Sequence, residues 1–228
     1  MEPRSPGRWA GLSVEARRAE RRRLLLDAAF ELLGTEGSSG TTVRAVCQEA
    51  RLNPRYFYES FTDLDTLIVA VYDRVVEELR GAVERAIDEA PTDLPVQIGA
   101  AVATTVGFVD DDRRRARVLY IEALGNEALN RRRISAGHDI TSFIEMDAVQ
   151  RRGAPPEGER IGALTSAVLV GGISEVLTVW LDGRLEITRD ELIGDLTELF
   201  VGLTDTAFRL ATRRVARDAR HAVPTDPA

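Results

Sequence analysis

The sequence predicts an all-α chain of about nine helices. Three observations carry that expectation. Apolar residues recur at helical spacing nearly throughout, glycine and proline cluster between the apolar segments, and no stretch alternates polar and apolar residues between hairpin turns as paired strands do. With 228 residues, 44% of them hydrophobic and 29% charged, the chain is long enough for a small module joined to a larger one.

The elements follow in order. Residues 1–12 hold Arg, Pro, Gly and Trp without an apolar period and are expected to form a disordered arm. A first helix is predicted from Ser13 to Thr35, with Leu25, Ala28, Ala29, Leu32 and Leu33 on one stripe and Arg17, Arg18, Arg21, Arg22 and Arg23 near its start. Glu36-Gly37-Ser38-Ser39-Gly40 stops it. A short helix follows from Thr42 to about Ala50. Asn53-Pro54 then opens a third that ends near Ser60, because Asn suits the N-cap and Pro the first helical position. Thr62-Asp63-Leu64-Asp65 has the form of a capping box, and Leu64, Ile68, Val71, Val75 and Leu79 line a long fourth helix reaching about Glu89. After the break at Ala90–Pro95, helices are expected over Gln97–Val109 and Arg113–Leu124, separated by the acidic run Asp110–Asp112, and then over Glu127–Arg152. Residues 153–158, with two prolines and two glycines, form the clearest loop. Two apolar helices close the chain, Glu159–Leu181 and Arg189 to about Arg217, the second opened by a capping box at Thr188–Glu191. The expected domains are a disordered arm over 1–12, a small helical module over 13–61, a larger helical domain over 62–218, and a disordered tail over 219–228.

Composition narrows the function classes. The single Cys47 excludes an intramolecular disulfide and a thiolate metal cluster, and only His138 and His221 offer imidazole, so no metal, cofactor or catalytic residue is expected. Cys47 reads as a small core residue ahead of a redox sensor. No unbroken apolar run approaches a membrane span, and residues 1–12 lack a secretory core, which points to the cytoplasm and no membrane partner. The net charge of −7 conceals a change of sign: residues 1–60 hold ten Arg and eight acids, whereas the rest hold twenty Arg and twenty-nine acids. Only the front end suits phosphate. All 30 basic residues are Arg, which reads first as a coding bias toward G and C.

The informative segment is the short helix, tight turn and short helix between Thr42 and Ser60, a helix-turn-helix pattern. In such a motif the second helix enters the DNA major groove while the first crosses the backbone. Arg55 suits a bidentate pair with guanine, and Tyr56 suits a thymine methyl or a phosphate. Tyr58, Thr42 and Arg44 carry donors for phosphate oxygens, assisted by the free N–H groups that open the Thr42 helix. Asn53, Pro54 and Arg22 complete the candidate DNA-binding set. The Arg17–Arg23 cluster fits a phosphate-facing surface or a solvated helix face. Phe57, Phe61 and part of Tyr58 read as packing. Arg113–Arg115 and Arg131–Arg133 read as solvated faces or salt bridges.

Leu26-Asp27-Ala28-Ala29 through Gly37, Thr42-Val43-Arg44-Ala45-Val46, Asn53 to Phe61 and Leu67 together resemble the TetR family of regulators over roughly residues 20–70. Two positions depart from that family: Arg51 stands in the turn where a small residue, often Gly, is usual, and Leu64 stands where a Lys is usual. The resemblance implies a three-helix DNA-binding head on an all-helical subunit. It also implies a homodimer on a near-palindromic double-stranded DNA operator, usually a repressor released by a small-molecule effector, with the last two helices forming an intersubunit bundle.

The rest of the chain shows no nucleophile motif, phosphate loop or metal spacing and reads as a binding module. Leu169, Ile173, Val176, Leu192, Leu196, Leu199 and Leu203 are the expected dimer interface. Phe108, Leu119, Tyr120, Phe143, Met146 and Trp180 are candidate walls of an apolar effector site, with Glu122, Asn126 and His138 as polar contacts. Each is also compatible with core or surface, and the apolar bias suggests a lipophilic or aromatic effector. Two other classes stay open: a helical enzyme or scaffold with a vestigial head, and a DNA-binding regulator that takes no ligand.

Overall fold

The Asn53 side chain accepts the Arg55 N–H at 2.9 Å, and Pro54 follows at the first helical position, so the third helix starts where its sequence predicts. In the computed structural model, which describes residues 13–152 and 158–221 but not the side chains of Leu124, His138, 141–152, 158–159 and 215–221, the same logic sets most helix starts. The elements are α1 (Val14–Thr35), α2 (Val43–Glu49), α3 (Pro54–Tyr58), α4 (Leu64–Glu89), α5 (Leu94–Asp110), α6 (Arg113–Ala116), a π-turn (Arg117–Ile121), α7 (Glu122–Gly125), α8 (Glu127–Arg152), α9 (Gly158–Leu181) and α10 (Arg189–His221). Counting Arg113–Gly125 as one helix with a π-turn inside it, the described residues form nine helices and no strand. The expected arm, residues 153–157 of the expected loop and residues 222–228 of the expected tail lie outside the described residues, whereas Gly158 belongs to α9 and residues 219–221, expected in the tail, belong to α10.

Contacts divide the chain into two units, and the division does not fall at residue 61. The first comprises 13–76 together with 113–130, the second 77–112 together with 131–221. In the first, Leu25, Ala29, Leu33, Val46, Phe57, Leu67 and Val71 are fully buried. Each large apolar side chain among them contributes about 1.5–3 kcal/mol over exposure. Phe57 meets Tyr58 edge-on at 5.2 Å and Phe61 at 5.9 Å between ring centroids. Arg74 of α4 reaches Asp27 and the Leu26 carbonyl of α1. The cap of α4 differs from the expected box at Thr62: Asp63 accepts the Thr66 N–H at 2.7 Å, one residue later, and Thr62 donates its hydroxyl to Asp63 instead. A carboxylate so placed is a stronger acceptor for a helix N–H than a hydroxyl.

The turn between α2 and α3 closes by a Schellman pair, Leu52 N–H to the Cys47 carbonyl at 2.9 Å and Arg51 N–H to the Gln48 carbonyl at 3.1 Å. Such a turn needs a left-handed residue, and Arg51 supplies it with φ 53°. This is the physical reason a small residue is usual there.

In the second unit α10 packs on α5 and α9. Val102, Val106, Val109, Ile161, Leu177, Leu192 and Leu196 are buried. The box opening α10 forms as expected, with Thr188 N–H to Glu191 at 2.8 Å and Glu191 N–H to the Thr188 hydroxyl at 3.3 Å. Arg189 ties the start of α10 to the end of α5 through Asp111 at 2.9 Å. One expectation is corrected here: Leu192 and Leu196, assigned to a dimer interface, are 2% and 4% exposed. They face inward on α10 and are used up by packing inside one chain. Leu199 is 67% exposed, while Leu169, Ile173, Val176 and Leu203 are half-buried. Arg160–Leu181 is long and apolar enough to cross a membrane by length and composition, although Glu175 interrupts it.

Arg51→Gly tests the turn. A left-handed non-glycine residue costs about 1–2 kcal/mol, and glycine returns about 0.4–1 kcal/mol of that through unfolded-chain entropy. The variant should therefore gain about 0.5 kcal/mol, read as a higher denaturant midpoint at unchanged m-value.

Candidate nucleic-acid interface

Five residues make α3, and its two sides are distinct. Phe57 is wholly buried, whereas the Arg55 side chain is 82% exposed and Tyr58 63%. Buried Phe57 is the anchor, and Arg55 and Tyr58 are the face that remains. Asn53 spends its side-chain oxygen on the cap and, being exposed, keeps its amide N–H2 group to donate outward. Arg55 Nε bonds Glu59 Oε1 at 3.1 Å. Exposed pairs of this kind are worth about 0–1 kcal/mol, so the guanidinium is held ready and is cheaply released.

Glu59 is a hub that the sequence reading did not single out. Its other carboxylate oxygen accepts from Arg21 at 3.3 Å and its carbonyl from Arg18 at 2.9 Å, which fastens α1 to the end of α3. The i,i+4 spacing of Arg55 and Glu59 was a readable signal; the reach to Arg18 and Arg21, about forty residues away, was not. Tyr56 is half-buried, with the Arg21 guanidinium 4.4 Å above its ring. Arg22 is exposed and lies 4.8 Å from the Phe61 ring. Thr42 caps α2 by accepting the Ala45 N–H at 3.1 Å, which leaves its hydroxyl proton free to donate, and Arg44 is exposed beside it. Cys47 lies in the core at 4% exposure, and burial pushes its thiol above the ordinary value.

A second polar cluster braces the loop before α2. The Ser38 N–H and hydroxyl both donate to Glu122 Oε2 at 2.7 Å, Arg117 Nε donates to Oε1 at 2.8 Å, and Arg117 Nη1 caps the Thr35 carbonyl at 2.6 Å. Gly37 makes this approach possible. Its φ is 78°, and a Cβ there would lie 2.5 Å from Arg117 Nη2 and 2.6 Å from Glu122 Oε1. Arg114 pairs with Glu31, as a salt-bridge reading of Arg113–Arg115 expects. Of the candidate effector residues, Glu122 is thus engaged with Ser38 and Arg117, and Asn126 caps α8 by accepting the Leu129 N–H at 2.9 Å. Leu119 is buried, and burial, with Tyr72 nearby, raises the Tyr120 phenol. Phe108 and Trp180 are half-buried in the second unit, Trp180 donating to the Ile187 carbonyl at 3.0 Å. His138, Phe143 and Met146 lie outside the described side chains.

Residues 25–71, which hold the second half of α1, all of α2 and α3 and the first turns of α4, match the family model for bacterial regulatory proteins of the tetR family. Over that segment the chain is similar to the N-terminal head of tetR-family regulators. An uncharacterized HTH-type transcriptional regulator of Haemophilus influenzae is 31% identical over 125 residues, 54% of this chain; the match spans 60% of that relative's length. The likeness of fold extends past the head. The fatty acid degradation regulator FadR from Bacillus halodurans superposes with a TM-score of 0.66 at 16% identity, over 80% of this chain and 95% of that one. A TetR-like transcriptional regulator from Rhodococcus sp. RHA1 gives 0.59 at 22%, over 85% and 98%.

The Glu122 brace has a pH signature. Burial raises its carboxyl, but the two Ser38 bonds and Arg117 outweigh burial and hold it below the ordinary 4.5. Its contribution is therefore complete above 4.5 and disappears as pH falls through the lower folded value. Glu122→Gln should cost about 1–3 kcal/mol at neutral pH. In thermal melts, its gap to the parent chain should close as the buffer is taken below the carboxylate range.

Proposed function

We propose that this chain is a homodimeric, one-component transcriptional regulator, a repressor that grips a near-palindromic operator through α3 and is released by a small lipophilic or aromatic effector. The observation that carries this reading is the division of α3: a buried Phe57 and a capped start hold Arg55, Asn53, Pro54 and Tyr58 outward on a helix too short for any other packing role. Arg55 pairs with a guanine edge in the major groove; Tyr58, Thr42, Arg44 and Arg22 bond phosphates, and Tyr56 lies at the margin. Nothing in the candidate set suits turnover, so the role is binding and not catalysis.

The dimer reading draws on α9 and α10. Leu164, Val168, Leu199 and Phe208 are between 57% and 69% exposed. A second subunit is the occupant we assign to this surface, with Leu169, Ile173, Val176 and Leu203 partly contributing. Glu175 amid the apolar span of α9 favours a protein partner over a bilayer. The effector reading draws on the family resemblance and on the apolar bias of the sequence beyond residue 61. Release then requires that the effector bind better to a state whose two α3 helices no longer match successive major grooves, about 34–36 Å apart.

Selection of bound duplexes from random DNA tests the function class. A two-fold symmetric site is the expected product, and the absence of any enriched sequence would sink the proposal. On the selected site Arg55→Ala should lose about 1–3 kcal/mol of discrimination at one base pair per half-site, with little change on random DNA. Joint replacement of Leu199 and Phe208 by Glu should convert the sedimenting species from dimer to monomer and weaken binding to the symmetric site far more than to a half-site.

A further inference from the structure

Beside α3, the start of α1 borders an open groove of about 360 Å³ lined by Val14, Arg17, Arg21, Leu52 and Tyr56. Arg17 and Arg21 stand one turn apart on the same helix face, so two like charges repel each other there. Their partners inside the protein are few: Glu15 lies within electrostatic reach of Arg17, and Glu59 pairs with Arg21. The Arg17 side chain makes no hydrogen bond or ion pair among the described residues. Arg21 reaches a single oxygen of Glu59, at 3.3 Å, and its Nε–H is buried with no acceptor. A solvated helix face does not describe Arg21, whose side chain is only 15% exposed. The guanidinium is instead held 4.4 Å over the Tyr56 ring, its orientation set by stacking.

We infer that this groove seats one phosphodiester of the DNA strand flanking the major groove that α3 enters, with Arg17 and Arg21 as its two cationic walls. The inference rests on the reading of α3 as a DNA-reading helix. A phosphodiester is the anion the geometry suits: its two free oxygens match the planar, multi-donor fork of a guanidinium. The position selects an anion attached to duplex DNA, because Leu52 and Tyr56 of the groove wall flank Asn53, Pro54 and Arg55, the start of α3, in sequence. Such a contact fixes register without reading bases. It gives the head a phosphate clamp on α1, where the sequence lacks the cation usual near Leu64.

The test is binding to a random-sequence duplex and to the selected symmetric duplex across a range of salt, with parent chain, Arg17→Gln, Arg21→Gln, the double variant, Arg21→Lys and, as a distant control, Arg209→Gln. The double variant should weaken both duplexes by the same factor and flatten the slope of log K against log salt by about 0.9, the value for one lost phosphate contact. Arg21→Lys should keep the slope, and Arg209→Gln should change nothing. Arg17→Gln, at the open edge of the groove, should melt like the parent chain and still lose part of the slope, which separates a phosphate contact from damage to folding. An unchanged slope in the double variant, or a loss confined to the selected duplex, overturns the clamp while the DNA reading stands. If the parent chain binds no duplex at all, the reading of α3 falls and the clamp falls with it.

Discussion

A helix of five residues does not persist alone in water, and the outward residues Arg55 and Tyr58 are mounted on such a helix. The burial of Phe57 is what keeps α3 in place. Its ring sits among Tyr58, Phe61 and the first core, while Asn53 and the Schellman turn at Arg51 set the helix start from the other side. With the inner edge and the N-terminus both fixed, Arg55 has one direction left to point. Replacing intrinsic helix stability by tertiary anchoring also explains why the short α3 tolerates Tyr and Phe, which are weak helix formers.

Charge plays a different part from packing. On α3 the ion pairs are exposed and exchangeable, so an arginine can leave Glu59 for a nucleic-acid partner at small cost. Around Glu122 the carboxylate is mostly covered and accepts three bonds, so the same chemistry holds a loop fast. The contrast follows from exposure: a pair that water can replace is adaptable, and one that water cannot reach is a brace.

Most helix boundaries were legible because they rest on local chemistry. Asn53-Pro54, Thr42 and Thr188–Glu191 act within three residues of themselves, and each does in space what its spacing implies. Thr62 misled because Asp63, its neighbour and a stronger acceptor, takes the cap one residue later by accepting the Thr66 N–H. What sequence could not show is which side of a long apolar helix faces inward. Leu192, Leu196 and Leu199 belong to one periodic series on α10, yet the first two are inside and the third outside. The π-turn over Arg117–Ile121 and the bonds from Glu122 to Ser38, eighty-four positions apart, carry no local signature either. Within the candidate site, Arg55 and Tyr58 were legible from the motif, whereas Glu59 as organiser, and the covered position of Arg21, emerge only from tertiary packing.

The position of Cys47 has a practical consequence. Because the only sulfhydryl in the chain is enclosed and its ionisation suppressed, the folded molecule is nearly silent toward maleimides and iodoacetamides. A cysteine introduced at an outward position such as Tyr58 is then the one attachment point for a dye or spin label, and the native sulfur needs no prior removal.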